Sequence, residues 1–181
     1  IIAFSSNYSP SGNITLTGDF REGQIITIEN NINDFDGLGE FSYEWFRNGT
    51  IIPNENNNYL LLTQSDVNNN ITAEISYIDQ NGTLENISSD QSEIIVNVND
   101  LPTGNISIVG DLNDDIFEGQ ELSISLDDIY EEDGFVLENV SYEWYLNNEL
   151  ISNGDTFTPL PQNAGDELYV KGLYQDNFGK N

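Results

Sequence analysis

Residues 34–45 read DFDGLGEFSYEW, and this stretch decides how the chain is interpreted. Its first half is a short acidic loop with glycines, and its second half alternates aromatic with other residues. An alternation with a period of two places Phe41, Tyr43 and Trp45 on one face of a β-strand. The stretch therefore predicts an acidic corner that leads into a strand with a buried tryptophan.

The same tetrapeptide, SYEW, occurs a second time and reveals a tandem repeat. Self-similarity at a fixed spacing is the signature of repeated structural units. Four pairs of segments match in the same order: 12–19 (GNITLTGD) with 104–111 (GNISIVGD), 22–24 with 118–120 (both EGQ), 42–45 with 141–144 (both SYEW), and 76–79 (SYID) with 173–176 (LYQD). Their offsets are 92, 96, 99 and 97 residues, so the second copy gains a few residues in its loops.

The repeat boundary indicates how the chain is divided. Residues 93–104 (EIIVNVNDLPTG) align with residues 1–12 (IIAFSSNYSPSG) at the offset of 92, with Pro10 under Pro102. We expect residues 1–9 to be a terminal strand equivalent to the last strand of a repeat, residues 10–100 to be repeat 1, and residues 101–181 to be repeat 2 without its last strand. Two explanations remain open: the chain is cut from a longer array, or residues 1–4 of one molecule complete the open domain of the next.

Alternating hydrophobicity dominates both copies, and helical periodicity is weak. About seven short strands with a tryptophan on the third indicate an immunoglobulin-like sandwich. The fold class is predicted to be all-β, with two tandem immunoglobulin-like β-sandwich domains and with Trp45 and Trp144 in their cores. In copy 1, strand A is assigned to Ile14 and Leu16, strand B to Ile25 and Thr27, strand C to Phe41, Tyr43 and Trp45, strand E to residues 59–62, strand F to Ile71, Ala73, Ile75 and Tyr77, and strand G to Ile94, Val96 and Val98.

The composition restricts the chemistry. The sequence contains four Lys or Arg residues and 32 Asp or Glu residues, which gives a formal net charge of −28. Such an acidic chain repels nucleic acid and anionic lipid, and it attracts cations. The sequence contains no Cys and no His, so thiolate chemistry and the usual general base and transition-metal ligand are missing. Oxygen ligands remain, and they suit calcium. No apolar run is long enough for a membrane span.

The order of these motifs resembles the immunoglobulin/cadherin-like tandem repeats of giant bacterial surface proteins, of the RTX-adhesin type. The segments that carry the resemblance are DFDGLGEFSYEW, LTQSDV, ISYIDQNGT and VNVNDLPTG in copy 1; copy 2 departs from them at EEDGFVLENVSYEW and PLPQNAGDEL. The resemblance implies a secreted or surface-attached extender with an adhesive or structural role, often in calcium-rich media. It implies no catalytic residues.

The sandwich topology places the acidic loops, because the B–C and F–G loops share one end of the domain. Converging carboxylates at a short linker repel one another unless a cation bridges them. We therefore expect calcium at the junction between domains, while the alternative is a solvated acidic turn. Glu22 and Asp66 are expected at the far end of domain 1. The candidate metal ligands are Asp34, Asp36, Asp79, Asp100, Asp128, Asp133 and Asp176. An EF-hand is excluded, since aligning Gly37 with its glycine places Ile32 and Tyr43 at the ligand ends.

Asparagine triplets of the form Asn-x-Ser/Thr are frequent, and they mark acceptors for glycans in exported archaeal or eukaryotic proteins. Eight occur, at Asn7, Asn13, Asn48, Asn70, Asn81, Asn86, Asn105 and Asn139. A glycoprotein is thus one expectation, although in most bacteria these triplets carry no meaning.

Three classes of function compete. The first is an extracellular or cell-surface structural or adhesive module, rigidified by calcium, whose partners are neighbouring repeats or copies of itself; a filament subunit joined by strand exchange is its sharper form. The second is a carbohydrate-binding module that uses exposed aromatic residues, with Tyr8, Tyr130 and Phe178 as candidates, so that glycans or another cell surface become partners. An enzyme is not expected, because every acid that can be placed falls in a loop near a domain end.

Overall fold

The structure is a computed structural model that describes residues 7–110 and 116–180. The chain separates into two compact units, unit 1 (Ile1–Val98) and unit 2 (Asn99–Asn181). Both units consist of antiparallel β-sheets with short 3₁₀ turns and no α-helix among the described residues. The expected all-β fold of sandwich domains is confirmed. The terminal strand expected within residues 1–9 lies mostly outside the described residues.

Unit 1 contains two sheets that enclose one hydrophobic core. One sheet has the order β1-β2-β5 and the other has the order β4-β3-β6-β7. The strands are β1 (Ile14–Gly18), β2 (Ile25–Asn30), β3 (Ser42–Arg47), β4 (Thr50–Ile51), β5 (Tyr59–Leu61), β6 (Ile71–Ile78) and β7 (Leu84–Ser88), with a 3₁₀ turn at Gln64–Asp66.

Strand β6 shows why the sequence forms this sandwich. It alternates strictly, so that Ile71, Ala73, Ile75 and Tyr77 are buried while the residues between them are not. Trp45 of β3 is fully buried among them, as its position in SYEW predicted. Each fully buried aliphatic side chain contributes about 1.5–3 kcal/mol of hydrophobic stabilisation.

In strand β2 and in the last segment of unit 1 (residues 94–98), the residues that point into the core differ from those predicted. Ile26 and Ile28 are buried in β2, whereas Ile25 is 54% exposed. In the last segment Ile95 is fully buried, and the predicted inward residues Ile94 and Val96 are exposed. Both segments carry adjacent apolar residues, so alternation alone leaves the inward face undecided, and pairing with the neighbouring strand decides it.

The sixth strand of unit 1, β6, pairs with a strand that was not among those predicted from the sequence. Strand β7 forms a hairpin with β6, in register from Glu74 opposite Ser88 to Ile78 opposite Leu84. The predicted strand at 94–98 instead makes a single parallel bridge, between Arg21 and Val96. The last strand of the sandwich is thus a longer, interrupted segment that begins at Leu84.

Unit 2 repeats the pattern with shorter strands. Its sheets have the orders β8-β9 and β11-β10-β12. Trp144 and Leu122 are fully buried, which confirms the predicted core position of the second tryptophan. The strands are β8 (Ser107–Val109), β9 (Ser123–Ser125), β10 (Ser141–Leu146), β11 (Glu149–Ser152) and β12 (Leu168–Leu173), with 3₁₀ turns at Leu137–Asn139 and Pro161–Asn163.

Within residues 7–110 and 116–180, no helix has the length and apolar character needed to cross a bilayer.

Candidate metal site in unit 1 and its counterpart in unit 2

The acidic loop that opens the DFDG stretch forms a tight turn which aims one carboxylate inward. The Asp34 carboxylate accepts a hydrogen bond from the Asp36 backbone N–H at 2.9 Å, and the Asp34 carbonyl accepts one from the Gly37 N–H at 3.2 Å. Gly37 has φ of +90°, a conformation that favours glycine. The turn leaves Asp34 only 8% exposed.

Three carboxylates converge beside this turn, and we call Asp34, Asp79 and Glu85 the unit 1 acidic cluster. Asp79 follows β6 and Glu85 lies on β7, so the β6–β7 hairpin brings both to the loop before β3. Their exposures are 4% for Asp79 and 9% for Glu85. One oxygen from each of the three carboxylates lies within 4.8 Å of the other two.

Most oxygens of the cluster have a fixed partner. The Tyr77 hydroxyl donates to Asp34 Oδ2 at 2.6 Å. The backbone N–H groups of Asn81 and Thr83 both donate to Asp79 Oδ1, at 2.9 and 2.7 Å. The side chain of Asn7 donates to Glu85 Oε1 at 2.6 Å.

One oxygen of the cluster stands apart. Asp79 Oδ2 is buried and has no hydrogen-bond partner in the described part of the chain. A buried carboxylate oxygen without a partner loses its hydration without compensation, which is costly. This oxygen therefore points to a ligand that the protein itself does not supply.

The electrostatics of the cluster favour a cation. At an effective dielectric of about 20, two unit charges near 5 Å apart repel by about 3 kcal/mol. The ion pairs within the described ranges lie elsewhere, Arg21 with Asp19 and Arg47 with Asp66. Burial and the hydrogen bond to Asp34 raise the pKa of Tyr77 well above its ordinary value, so Tyr77 stays a donor.

The spacing of the oxygens fits calcium. Calcium takes six to eight oxygen ligands at 2.3–2.6 Å in flexible geometry. Two oxygens that touch the same ion are therefore separated by about 5 Å at most, and the oxygens of the cluster meet this limit. Three carboxylates, some of them bidentate, together with water can complete such a shell.

Asp36 lies next to the cluster and ties the incoming chain to it. Its carboxylate accepts the backbone N–H of Tyr8 at 2.6 Å. The ring of Tyr8 packs against Phe35, with centroids 5.0 Å apart, although Phe35 is 83% exposed. An exposed aromatic pair thus borders the carboxylates of unit 1.

Unit 2 repeats part of this arrangement at its own DG turn. Glu131 takes the position of Asp34 and accepts a short hydrogen bond from the Tyr174 hydroxyl. Asp133 takes the position of Asp36 and accepts the backbone N–H of Asp100 at 2.9 Å. Burial and the bond to Glu131 raise the pKa of Tyr174 above its ordinary value.

The last predicted ligand of unit 2 corresponds to Asp79. Asp176 is 8% exposed, and its Oδ1 accepts the N–H groups of Phe178 and Lys180, both at 2.8 Å. The tyrosine, the turn carboxylate and the hairpin carboxylate therefore recur in both units. This recurrence shows that the arrangement belongs to the repeat.

The seven predicted metal ligands lie at different places in the two units. Asp34 and Asp79 belong to the unit 1 acidic cluster, and Asp36 lies beside it. Asp100, Asp133 and Asp176 lie around the unit 2 turn, whereas Asp128 is exposed and precedes that turn. Metal binding by these residues stays a prediction.

Two carboxylates of these sites were missed. Glu131 corresponds to Asp34 when EEDG (131–134) is aligned with DFDG (34–37) at the offset of 97. Glu85 was missed because the last strand was placed at 94–98 and not at β7. Asp66, expected near the far end of domain 1, is buried and holds Arg47 at 2.7 Å.

The other predicted residues are distributed over both units. Tyr8 is in unit 1, and Tyr130 and Phe178 are in unit 2; sugar binding by them stays a prediction. Among the sequons, Asn70 is half-buried and its side chain donates to the Ser92 carbonyl at 2.7 Å. The exposed ones are Asn7, Asn13, Asn48, Asn81, Asn86, Asn105 and Asn139.

Comparison with known proteins yields structural neighbours only. No family model and no curated protein matches the chain. Among solved structures, it is similar to the fibronectin(III)-like modules of Clostridium thermocellum CbhA, with 11% identity and a TM-score of 0.32 over 94% of this chain and 87% of that one. It is also similar to a 1.5-MDa bacterial ice-binding adhesin, described for host cell surface retention, with 15% identity and a TM-score of 0.36.

The second similarity covers 98% of this chain but only 62% of the adhesin chain. Similarity at this level carries no argument about the activity or the ligand of this chain. The function therefore has to be argued from the side chains.

Proposed function

We propose that this chain is an extracellular structural or adhesive repeat module of a surface protein or filament, and that its units bind calcium through their turn and hairpin carboxylates. The observation that carries the proposal is the unit 1 acidic cluster, with three buried carboxylates and the unpartnered Oδ2 of Asp79. Further support comes from the absence of Cys and His, which leaves oxygen ligands.

Calcium gives such a module a mechanical role. Without a cation, the mutual repulsion of Asp34, Asp79 and Glu85 opposes closure of the β6–β7 hairpin onto the acidic turn. A bound ion converts this repulsion into attraction and links β6, β7 and the loop before β3. Since the ion binds the folded state only, it stabilises unit 1 by mass action.

A surface location fits the charge of the chain. A formal charge of −28 favours solubility, because copies of the chain repel one another. Salt or divalent cations in the medium reduce this repulsion by screening the charges. Partners in this proposal are neighbouring repeats or other copies of the chain. Catalysis is not part of the proposal, since the acids serve to hold an ion.

The first testable prediction concerns the calcium dependence of thermal stability. At a calcium concentration a hundredfold above the dissociation constant, binding stabilises unit 1 by about 2.7 kcal/mol. For a domain of this size that is roughly 10 °C in Tm or more. Scanning calorimetry in calcium and in chelator measures the shift.

The variant Asp79→Asn gives this experiment a signature that general destabilisation lacks. It removes one charge and the unpartnered oxygen's negative character, so Tm should rise slightly in chelator and the calcium shift should disappear. The exposed Asp90→Asn is the matched control and should keep the whole shift. Equal melting of the wild-type protein with calcium and with chelator would refute calcium binding.

A spectroscopic readout separates binding from stability. Terbium takes calcium sites, and its luminescence is excited through nearby aromatic residues. Tyr77 donates its hydroxyl to Asp34, so an ion in the cluster lies close to this ring. Calcium should quench the terbium signal of the wild type, and Glu85→Gln should weaken the signal.

A further inference from the structure

Three Asn-Gly pairs occur in the chain, and they differ in how their asparagine is held. In an Asn-Gly pair the asparagine loses its side-chain amide readily, because glycine has no side chain to block the approach of its backbone nitrogen. The pairs begin at Asn48, Asn81 and Asn153. All three asparagines are exposed, so the contacts of each one decide its reactivity.

Asn48 is held at both ends of its carboxamide. Its Nδ2 donates to Oδ1 of Asn69 at 2.6 Å, and its Oδ1 accepts the Asn70 N–H at 3.0 Å. Both bonds must break before the side-chain carbonyl carbon can meet the Gly49 nitrogen. Two neutral hydrogen bonds slow such a step by about tenfold or more. The fold therefore protects Asn48.

Asn81 has a free side chain but a fixed backbone. Within the described ranges its carboxamide makes no hydrogen bond, while its backbone N–H donates to Asp79 Oδ1 at 2.9 Å. The nitrogen that would attack, that of Gly82, donates its hydrogen to the Asp79 carbonyl at 3.1 Å. Thr83 N–H also donates to Asp79 Oδ1, at 2.7 Å. A reaction at Asn81 thus requires the loop 79–83 to open, and Asp79 is the residue that keeps it closed.

We propose that Asn81 is a deamidation site, and that calcium in the unit 1 acidic cluster protects it. The Gly82 nitrogen attacks the Asn81 side-chain carbonyl carbon, its hydrogen passes to solvent, and the amide nitrogen takes up a proton and leaves as ammonia. The product is a cyclic succinimide. Water opens this ring at either carbonyl, which gives aspartate or isoaspartate. The net reaction consumes water and releases ammonia, mole for mole.

The protection rests on the proposed function, because calcium acts through Asp79. An ion bound to the Asp79 carboxylate fixes this side chain, and the hydrogen bonds to it then keep the loop 79–83 closed. At a calcium concentration roughly a hundredfold above the dissociation constant, the share of ion-free sites falls about a hundredfold. Since the loop opens mainly in the ion-free protein, deamidation at Asn81 should slow by about tenfold or more.

Isoaspartate at position 81 would damage the site that calcium occupies. Its main chain runs through the former side chain and gains a carbon. The extra carbon lies between the N–H groups of Asn81 and Thr83, which both bind Asp79 Oδ1. These groups then no longer converge on that oxygen, and calcium affinity should fall by about tenfold or more. A period without calcium is thus recorded in unit 1 as a permanently weakened metal site.

Peptide mapping by mass spectrometry, after incubation at mildly alkaline pH, measures the loss of each amide. A host without N-glycosylation supplies the protein, since Asn48 and Asn81 belong to sequons. In chelator, Asn81 should react faster than Asn48 by about tenfold or more. In calcium, the reaction at Asn81 should slow while that at Asn153 stays the same. Asn153 is the internal reference, because it makes no hydrogen bond to a carboxylate in the described part of the chain.

Variants separate the steps of the proposal. Asp79→Asn keeps an oxygen for the loop N–H groups but no longer holds the ion, so Asn81 should react equally fast in calcium and in chelator. Asn81→Asp copies the product that leaves the main chain unchanged, and it should retain calcium binding. Asn81→Gln should keep its calcium-dependent Tm during incubation in chelator, whereas the wild type loses it. The matched control Asn153→Gln should behave like the wild type.

The outcomes distinguish this proposal from calcium binding itself. Equal rates at Asn48 and Asn81 in chelator would overturn the modification site. Calorimetry that shows calcium binding, together with an unchanged rate at Asn81, would refute the protection and leave the proposed function standing. A protein that binds no calcium, and in which Asn81 still reacts faster than Asn48, would refute the proposed function and support the modification site.

Discussion

Units 1 and 2 share a repeat pattern but differ in how completely their cores are closed. Among the described residues, thirteen hydrophobic side chains are buried in unit 1 and two in unit 2, Leu122 and Trp144. Both units place their tryptophan identically, and each indole N–H donates to a loop carbonyl, of Asn57 or of Gly154. The motif SYEW therefore positions the tryptophan, whereas core closure in unit 1 depends on the segment 89–98.

A second difference concerns the turn before the sixth strand. In unit 1 the buried Asp66 binds Arg47 through two nitrogens, at 2.7 and 2.8 Å, and accepts two hydrogen bonds from Thr63. In unit 2 Leu146 stands at the position of Arg47, and the Asn163 side chain accepts the Leu160 N–H at 2.8 Å. The same turn is thus held by a charged network in one unit and by a neutral bond in the other.

The largest expected effect comes from breaking that network. Asp66→Ala leaves the Arg47 guanidinium partly buried without its partner, and breaking a buried ion pair costs about 3–5 kcal/mol. Asn163→Ala removes one neutral bond and should cost about 1 kcal/mol. Chemical denaturation followed by tryptophan fluorescence measures both changes. A Trp144→Phe background reports on unit 1, and Trp45→Phe reports on unit 2. Equal costs in the two units would contradict the comparison.

Removing the side chain that closes unit 1 should have the next largest effect. Ile95→Ala opens a cavity in the core and should destabilise unit 1 by about 3 kcal/mol. Ile94→Ala is the matched control, because its side chain is 56% exposed, and it should change stability by less than about 0.5 kcal/mol. Hydrogen exchange should accelerate in β6 of the first variant, making that strand behave more like β12. Unchanged exchange in β6 would show that the segment does not close the core.

A smaller effect than that of Ile95→Ala tests the feature that the two units share. Tyr77→Phe removes the hydrogen bond to the Asp34 carboxylate and should cost about 1.5 kcal/mol. Tyr174→Phe removes the matching bond to Glu131 and should cost a similar amount. A cost in only one unit would show that the two sites are not equivalent.

The tyrosines also predict a pH dependence. The pKa of Tyr77 is raised in the folded protein, while in the unfolded chain it is about 10. Above pH 10 or so the unfolded chain releases this proton while the folded protein retains it. The stabilisation is therefore complete below that pH and is lost as the pH rises further. Denaturation curves from neutral to alkaline pH should fall more steeply for the wild type than for Tyr77→Phe.

Sequence reasoning located much of the candidate site, and its two omissions have physical causes. Asp34 and Asp79 were placed at one end of the domain because their loops follow from strand order. Glu85 was omitted since its strand, β7, has only weak alternation in LENIS. Glu131 was omitted because copy 2 has a glutamate where copy 1 has Asp34, and only aspartates were predicted as ligands. The unpartnered oxygen of Asp79 is visible only in three dimensions.

The sequence by itself determined the tandem repeat, the all-β class and the inward face of β6, because there every second residue is apolar. Tertiary structure alone decided the phase of β2 and of the segment around Ile95, where apolar residues adjoin each other and both faces are available. Tertiary structure also brought Glu85 to Asp34 and Asp79. Local patterns fix the period of a strand, but the strand's phase and its distant neighbours depend on which edge it pairs with.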